Sequence, residues 1–129
     1  MNTAKGTILH DNWDEQPYNE VAGLKSTEAK IDATLHGDIE ATGPTRFLMQ
    51  YPTGETCHYC GYLVLTGTLG GKSGSFIVYE TGEWANGVAS SRWEIVENSG
   101  TGDLRGLKGT GRYAAEHDKT VHYELSYEL

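Results

Sequence analysis

The stretch Tyr62–Trp84, YLVLTGTLGGKSGSFIVYETGEW, predicts two β-strands joined by a tight turn. The runs Leu63–Thr66 and Phe76–Tyr79 consist of residues that favour extended backbone. Between them, Gly70–Gly74 is rich in the residue that tolerates the positive φ angles of a hairpin turn. The stretch therefore predicts a β-hairpin, and the rest of the chain is typical of further strands of the same kind.

Alternating apolar and polar residues extend this prediction along the chain. The alternation is clearest in Thr27–Ile39, where every second residue from Ala29 to Leu35 is apolar, as expected for a sheet with one face in solvent. The predicted strands are Thr3–Trp13, Thr27–Ile39, Thr45–Tyr51, Thr56–Thr68, Gly74–Trp84, Val88–Glu97, Arg112–Ala115 and Val121–Leu129. The strands account for most of the chain and leave little room for helix.

Turn residues separate these strands. Asn86-Gly87 is the strongest hairpin motif in the chain. Further predicted connections are a loop at Asp14–Gly23, a break at Thr42–Pro44, a turn at Pro52–Glu55, and an irregular segment at Asn98–Thr110 with one helical turn around Asp103–Leu107. About eight strands with short connections predict an all-β fold, a closed barrel or a sandwich. An eight-stranded antiparallel closed barrel is just wide enough to be filled by side chains or to hold one small ligand.

Length and charge limit the classes of function. The 129 residues suit a single domain, residues 1–129. The net charge of −8 argues against nucleic acid as a partner, because phosphate binding needs a basic surface. The chain contains no apolar run long enough to span a membrane, and the polar segment Met1–Pro17 is unlike a secretory signal. We therefore expect a cytoplasmic protein with no membrane partner.

Four motifs resemble a bacterial family, the domain of unknown function 3224. They are His36–Glu40, Phe47–Tyr51, Gly67–Phe76 and Ser99–Leu104, and they occur in the family's order over nearly the whole chain. The resemblance implies an allene oxide cyclase-like barrel of eight antiparallel strands, usually in a homo-oligomer. The run Gly100–Gly109 also resembles the glycine-rich segment of dirigent proteins, which share that barrel.

The resemblance implies little about activity. Allene oxide cyclases and dirigent proteins guide ring closure or radical coupling of bound apolar molecules, mainly by shaping a cavity, and this is an analogy of fold. The chain departs from the family pattern at two positions. Leu63 stands where relatives carry Glu, and Glu80 stands where they carry His.

Cys57 and Cys60 form a single C-x-x-C motif within a predicted strand. In extended backbone, residues three apart lie ~10 Å apart and point to opposite faces, whereas a disulfide needs Cα atoms about 4.4–6.8 Å apart. The motif therefore predicts two reduced cysteines, with a metal site including His58 or a redox role as alternatives. Neither Gly70–Ser73 nor Gly100–Gly102 has the spacing or the following helix of a nucleotide-binding loop. We expect no cofactor and no metal.

Glu80 is the candidate catalytic residue. It shares one face of its strand with Phe76, Val78 and Trp84, so it enters the barrel if they do. A carboxyl group in an apolar cavity has a raised pKa or a partner, which suits a general acid or base. The alternative is a Glu near the barrel mouth, solvated or paired with Arg46, Arg92 or Arg112.

Aromatic and apolar residues are the candidate ligand contacts. They would line the barrel interior at Phe47, Met49, Tyr51, Phe76, Val78, Trp84, Trp93, Tyr123 and Tyr127. The sequence thus predicts a barrel that binds a small apolar or aromatic molecule, with isomerase or cyclase activity through Glu80 as an open possibility. The alternative is a non-catalytic oligomeric module with a filled core. A cavity of about 300 Å³ or more with Glu80 in its wall would favour the first.

Overall fold

The computed structural model describes residues 1–116 and 119–129. Its elements are β1 Asn2–Val21, β2 Leu24–Gly37, β3 Ile39–Thr53, β4 Thr56–Leu69, β5 Lys72–Ala85, β6 Val88–Ile95, a 3₁₀ helix Gly102–Leu104, β7 Lys108–Glu116 and β8 Val121–Glu128. The eight strands are antiparallel and follow one another in chain order, and β8 pairs with β1, so the sheet closes on itself as a barrel. The all-β prediction and the predicted number of strands are confirmed.

The faces of the strands follow the alternation of the sequence. Ala29, Ile31, Ala33 and Leu35 are buried inside the closed sheet, as the period of two predicts. On β5, Phe76 and Val78 also point inward and are fully buried. The predicted β4–β5 hairpin is present, with continuous pairing from Thr56↔Ala85 to Leu69↔Lys72.

Two predicted interruptions were wrong. Residues 14–21, predicted as a loop, continue β1 and pair with β2 as far as Val21↔Leu24. Pro17 is tolerated there because β8 pairs with β1 only up to Ile8, so this half of β1 is an edge that needs fewer backbone donors. Thr42–Pro44, predicted as a break, lies within β3, where Pro44 pairs with Asp32.

In the last third of the chain, the observed bounds of two elements differ from the predicted ones. β7 runs over Lys108–Glu116 rather than Arg112–Ala115, because its glycine-rich first half pairs with β8. The predicted helical turn is a 3₁₀ helix over Gly102–Leu104, slightly earlier than expected. Leu104 and Leu107 are buried, and the segment lies against β5 through a hydrogen bond from Ser75 N to Thr101 Oγ1 of 3.0 Å. The β6–β7 segment therefore closes one end of the barrel.

A bulge in β1 shapes the opposite end. Asp11 pairs with Asp32 and Asp14 with Lys30, so β1 carries one residue more than β2 between these pairs. Asn12, within the bulge, has a φ of 55°. An extra residue reverses which side chains face inward. Before the bulge Ile8 and His10 face the interior, and after it Trp13 and Glu15 reach the mouth.

Candidate functional site

Glu80 lies inside the closed sheet, as predicted, with no exposed surface. Its carboxylate accepts three hydrogen bonds, from Trp93 Nε1 at 2.6 Å, Tyr113 OH at 2.6 Å and Ser91 Oγ at 3.0 Å. The donors lie on the neighbouring strands β6 and β7, where Trp93 is the direct cross-strand partner of Glu80 and Ser91 that of Tyr113. The pairing of β5 with β6 and of β6 with β7 thus brings together four residues that are 2 to 33 positions apart in sequence.

Within residues 1–116 and 119–129, no arginine takes part in this network. The predicted alternative, Glu80 paired with Arg46, Arg92 or Arg112, was wrong: Arg92 is on the outer surface and pairs with Glu83 at 2.8 Å, while the side chain of Arg46 donates to the carbonyl of Thr45. Inward and outward residues alternate along a strand, which puts these cations on the wrong side of the sheet.

Burial is the main influence on the pKa of the Glu80 carboxyl group. Desolvation raises the pKa of this carboxyl to about 7, although the hydrogen bonds from Tyr113, Trp93 and Ser91 lower it. The same burial, together with the charge of Glu80, raises the pKa of Tyr113 well above its usual value, so this phenol stays protonated. Glu80 therefore changes charge near neutral pH within a fixed set of donors.

Tyr59 and His10 extend the network toward the barrel mouth. Tyr59 OH is hydrogen-bonded to Ser91 Oγ, and a side chain on Gly82 would collide with the Tyr59 ring, so glycine is required there. His10 Nε2 lies 3.5 Å from Tyr113 OH. Burial holds the pKa of His10 below its usual value, which makes it a neutral imidazole at pH 7.

Above this network lies an apolar cavity of about 260 Å³. It is lined by His10, Trp13, Glu15, Phe47, Met49, Tyr51, Tyr59, Trp84, Ala89, Tyr113 and Ala115. These residues belong to the strand halves that lead to the turns at 22–23, 54–55 and 86–87, so the cavity lies at the end opposite the β6–β7 segment. Glu80 does not line the cavity. Tyr113, which donates a hydrogen bond to Glu80, does line it.

The predicted ligand contacts fall into two groups. Phe47, Met49, Tyr51 and Trp84 line the cavity. Phe76, Val78, Trp93 and Tyr123 are packed in the core below it, and Tyr127 lies half-buried toward the other end of the barrel. The hydroxyl of Tyr123 is engaged with the β2–β3 turn, where it accepts from Ile39 N at 3.0 Å and donates to His36 O at 3.1 Å.

Glu15 supplies a charged group at the rim of the cavity. Its carboxylate accepts from Trp13 Nε1 at 3.1 Å, from Thr27 Oγ1 at 2.7 Å and from Tyr51 OH. Burial alone would raise its pKa, but these hydrogen bonds and the charge of Lys25 outweigh burial and lower it. Glu15 is therefore ionised at neutral pH, in contrast to Glu80.

Sequence reasoning missed seven of the cavity residues: His10, Trp13, Glu15, Tyr59, Ala89, Tyr113 and Ala115. A usable indication existed for Tyr59, which shares the inward alternation of Leu63 and Leu65 on its strand. Trp13 and Glu15 required knowledge of the β1 bulge, which no local pattern indicated.

The cysteines lie as strand geometry predicts. Cys57 is buried on the inner face and pairs with Trp84, whereas Cys60 lies on the outer face opposite Thr81, and both are free thiols. In residues 1–116 and 119–129, no three His, Cys, Asp or Glu side chains are grouped as metal ligands. Within the same ranges, no helix is long and apolar enough to cross a membrane.

The fold and this cavity define a class: an all-β protein whose eight antiparallel strands form one closed sheet. The chain belongs to the family described as protein of unknown function DUF3224, whose model matches residues 4–127. It is similar to a crystal structure of a protein of unknown function from that family in Shewanella oneidensis MR-1, with a TM-score of 0.81 and 25% identity, over 100% of this chain and 98% of that one. A comparison with curated proteins found no significant match.

Proposed function

We propose that this protein binds a small apolar or aromatic molecule in the cavity at the barrel mouth. The observation that carries the proposal is the contrast between the two ends of the barrel: one is closed by Leu104 and Leu107, and the other holds an apolar space walled by aromatic rings. Ligand sites are typically concave and apolar with a few polar groups. The family resemblance also implies an allene oxide cyclase-like barrel, and the relatives of that fold act mainly by shaping a cavity for bound apolar molecules.

The size of the cavity limits the ligand. At about 260 Å³, and without Glu80 in its wall, it does not meet the criterion set from the sequence, a cavity of about 300 Å³ or more with Glu80 in the wall. It is also smaller than the roughly 300–1,000 Å³ of sites for drug-sized molecules. It suits a molecule of one or two rings, with the rings of Phe47 and Tyr59 packed edge to face at its base. We expect a neutral one-ring compound such as 4-tert-butylphenol to bind with a Kd of about 0.1–1 mM.

The geometry favours binding over catalysis by Glu80. A general acid must reach its substrate within hydrogen-bonding distance. Glu80 is separated from the cavity by Tyr113, and its carboxylate oxygens accept hydrogen bonds from Trp93, Tyr113 and Ser91. An isomerase or cyclase reaction would need Tyr113 as the contacting group. The function we propose is therefore ligand binding.

The test is a titration with 4-tert-butylphenol followed by NMR. Trp84→Leu removes an aromatic wall of the cavity, while Val64→Thr changes a side chain on the outer surface of β4 as a control. We expect saturable shifts in the parent and the control, and binding at least fivefold weaker in Trp84→Leu. Equal affinities in all three proteins would show that the compound binds elsewhere.

The alternative function, an oligomeric module without a ligand, has one observation in its favour. Leu48, Tyr62 and Val64 form an apolar patch on the outer surface of β3 and β4, and each is more than two-fifths exposed. The Tyr62 ring also packs against Tyr79, with ring centres 5.1 Å apart. The predicted homo-oligomer stays a prediction, and this patch is the surface where its interface is expected.

A further inference from the structure

We propose that the ligand of the mouth cavity is an organic cation, an aromatic or alkyl molecule with a quaternary or tertiary ammonium group. This inference rests on the proposed binding function and narrows it to a class of compound. Its basis is the combination of aromatic walls, an ionised carboxylate at the rim, and a lining that includes no lysine or arginine among the described residues, although Lys25 lies beside it against the ring of Tyr51.

The walls are suited to a cation. Among the described residues, the Phe, Tyr and Trp side chains that line the cavity are Trp13, Phe47, Tyr51, Tyr59, Trp84 and Tyr113. The faces of aromatic rings carry partial negative charge, and cages of such rings bind quaternary ammonium groups. Tyr51 already has a cation against its ring, since Lys25 Nζ lies 4.5 Å from the ring centre.

Among the lining residues that the structure describes, the ionised side chain is negative. Glu15 is ionised, because the hydrogen bonds it accepts lower its pKa. His10 is neutral, because burial lowers its pKa. Lys25 beside Tyr51 is close enough to lower the pKa of Glu15 and therefore offsets part of this negative charge. A carboxylate ligand inside the cavity would still meet Glu15 in the lining and, among the described residues, no lining lysine or arginine, and would be disfavoured on electrostatic grounds.

The hydrogen bonding of Glu15 indicates the kind of cation. Its two oxygens already accept hydrogen bonds from Trp13, Thr27 and Tyr51. Glu15 therefore acts on a ligand mainly through its negative charge and less as a hydrogen-bond acceptor. At the base, the hydroxyls of Tyr59 and Tyr113 are directed to Ser91 and Glu80. An alkylated ammonium needs charge and aromatic contact without hydrogen-bond acceptors, and this is what the cavity offers.

The experiment compares two compounds of one shape at pH 7. They are 4-tert-butylphenol and (4-hydroxyphenyl)trimethylammonium, which differ in a carbon replaced by a charged nitrogen. We expect the cation to bind about tenfold more tightly, the size of a desolvated cation–π contact with a nearby carboxylate. Equal or weaker binding of the cation would overturn the inference while leaving the proposed binding function in place, whereas no binding of either compound would overturn both.

Two variants locate the charge effect. Glu15→Gln removes the charge at the rim and should lower the affinity for the cation several-fold more than the affinity for the neutral phenol, so that most of the cation's advantage is lost. Lys25→Met removes a competing cation and should tighten binding of the ammonium compound about threefold. Glu28→Gln, an equal change of charge on the outer face of β2, is the control and should change neither. A Glu15→Gln protein that loses both compounds equally would mean a structural role for Glu15 and would contradict the inference.

Discussion

The buried carboxyl of Glu80 predicts an unusual dependence of stability on pH. Burial raises its pKa from 4.5 to about 7 in the folded protein, while the unfolded chain keeps the ordinary value. Between these two values the folded state holds a proton that the unfolded state has lost. The contribution of Glu80 to the free energy of unfolding is therefore fully present below pH 4.5 and is lost as pH rises through about 7.

The size of the effect follows from the separation of the two pKa values. At ~1.4 kcal/mol for each unit of difference between the two pKa values, the contribution of Glu80 to the free energy of unfolding falls by about 3 kcal/mol between pH 4.5 and pH 8. For a chain of this length, that corresponds to roughly 10 °C in Tm. Glu80→Gln cannot ionise and should lose this dependence. It should be more stable than the parent at pH 8 and about 1 kcal/mol less stable at pH 5, where its amide fits the three donors less well.

The assay is urea unfolding followed by tryptophan fluorescence at pH values from 5 to 9. The quantity of interest is the difference between parent and variant, in which the titrations of His10 and Glu15 cancel. Glu83→Gln is the matched control, since Glu83 is on the same strand but faces outward against Arg92, where an exposed pair contributes little. Parallel curves for the parent and Glu80→Gln over the whole range would refute the reasoning.

Three further predictions concern other parts of the barrel. Tyr113→Phe removes a donor to Glu80 and should raise the pKa of that carboxyl further, measured by the ¹³C shift of its side chain against pH; an unchanged midpoint would contradict the hydrogen bond. Leu104→Ala opens a cavity at the closed end and should cost about 2–4 kcal/mol in urea unfolding, and a cost below about 1 kcal/mol would show that this segment does not close the barrel. Tyr62→Lys places a charge in the outer apolar patch and should reduce the mass seen by analytical ultracentrifugation if the parent self-associates through it; an oligomer unchanged by the substitution would place the interface elsewhere.

Much of the fold was predictable because a sheet with one buried face repeats every two residues. That period identified β2, β4 and β5 and the inward direction of Glu80. It failed in the second half of β1, where a bulge at Asn12 and the polar run that follows have no regular period. For this reason, Trp13 and Glu15 were not included in the predicted site.

The candidate site was harder to predict than the fold. Alternation tells which face of a strand a residue occupies, but not its height along the barrel axis. Tyr123 and Tyr127 were assigned to the inner face correctly, yet Tyr123 lies below the cavity and Tyr127 toward the other end. The hydrogen bonds of Glu80 to Ser91 and Tyr113 depend on the register of β5, β6 and β7, which the alternation along a single strand does not reveal.

The central claim is that the mouth of the barrel, above the Glu80 network, takes a ligand. The three tryptophan indole N–H signals test it most directly in one ¹H–¹⁵N NMR titration with 4-tert-butylphenol. Trp13 and Trp84 line the cavity, whereas Trp93 is buried below it with its N–H bonded to Glu80. We expect saturable shifts of the Trp13 and Trp84 signals and a much smaller one for Trp93. Signals that stay in place, or that all move in proportion without saturating, would contradict the claim.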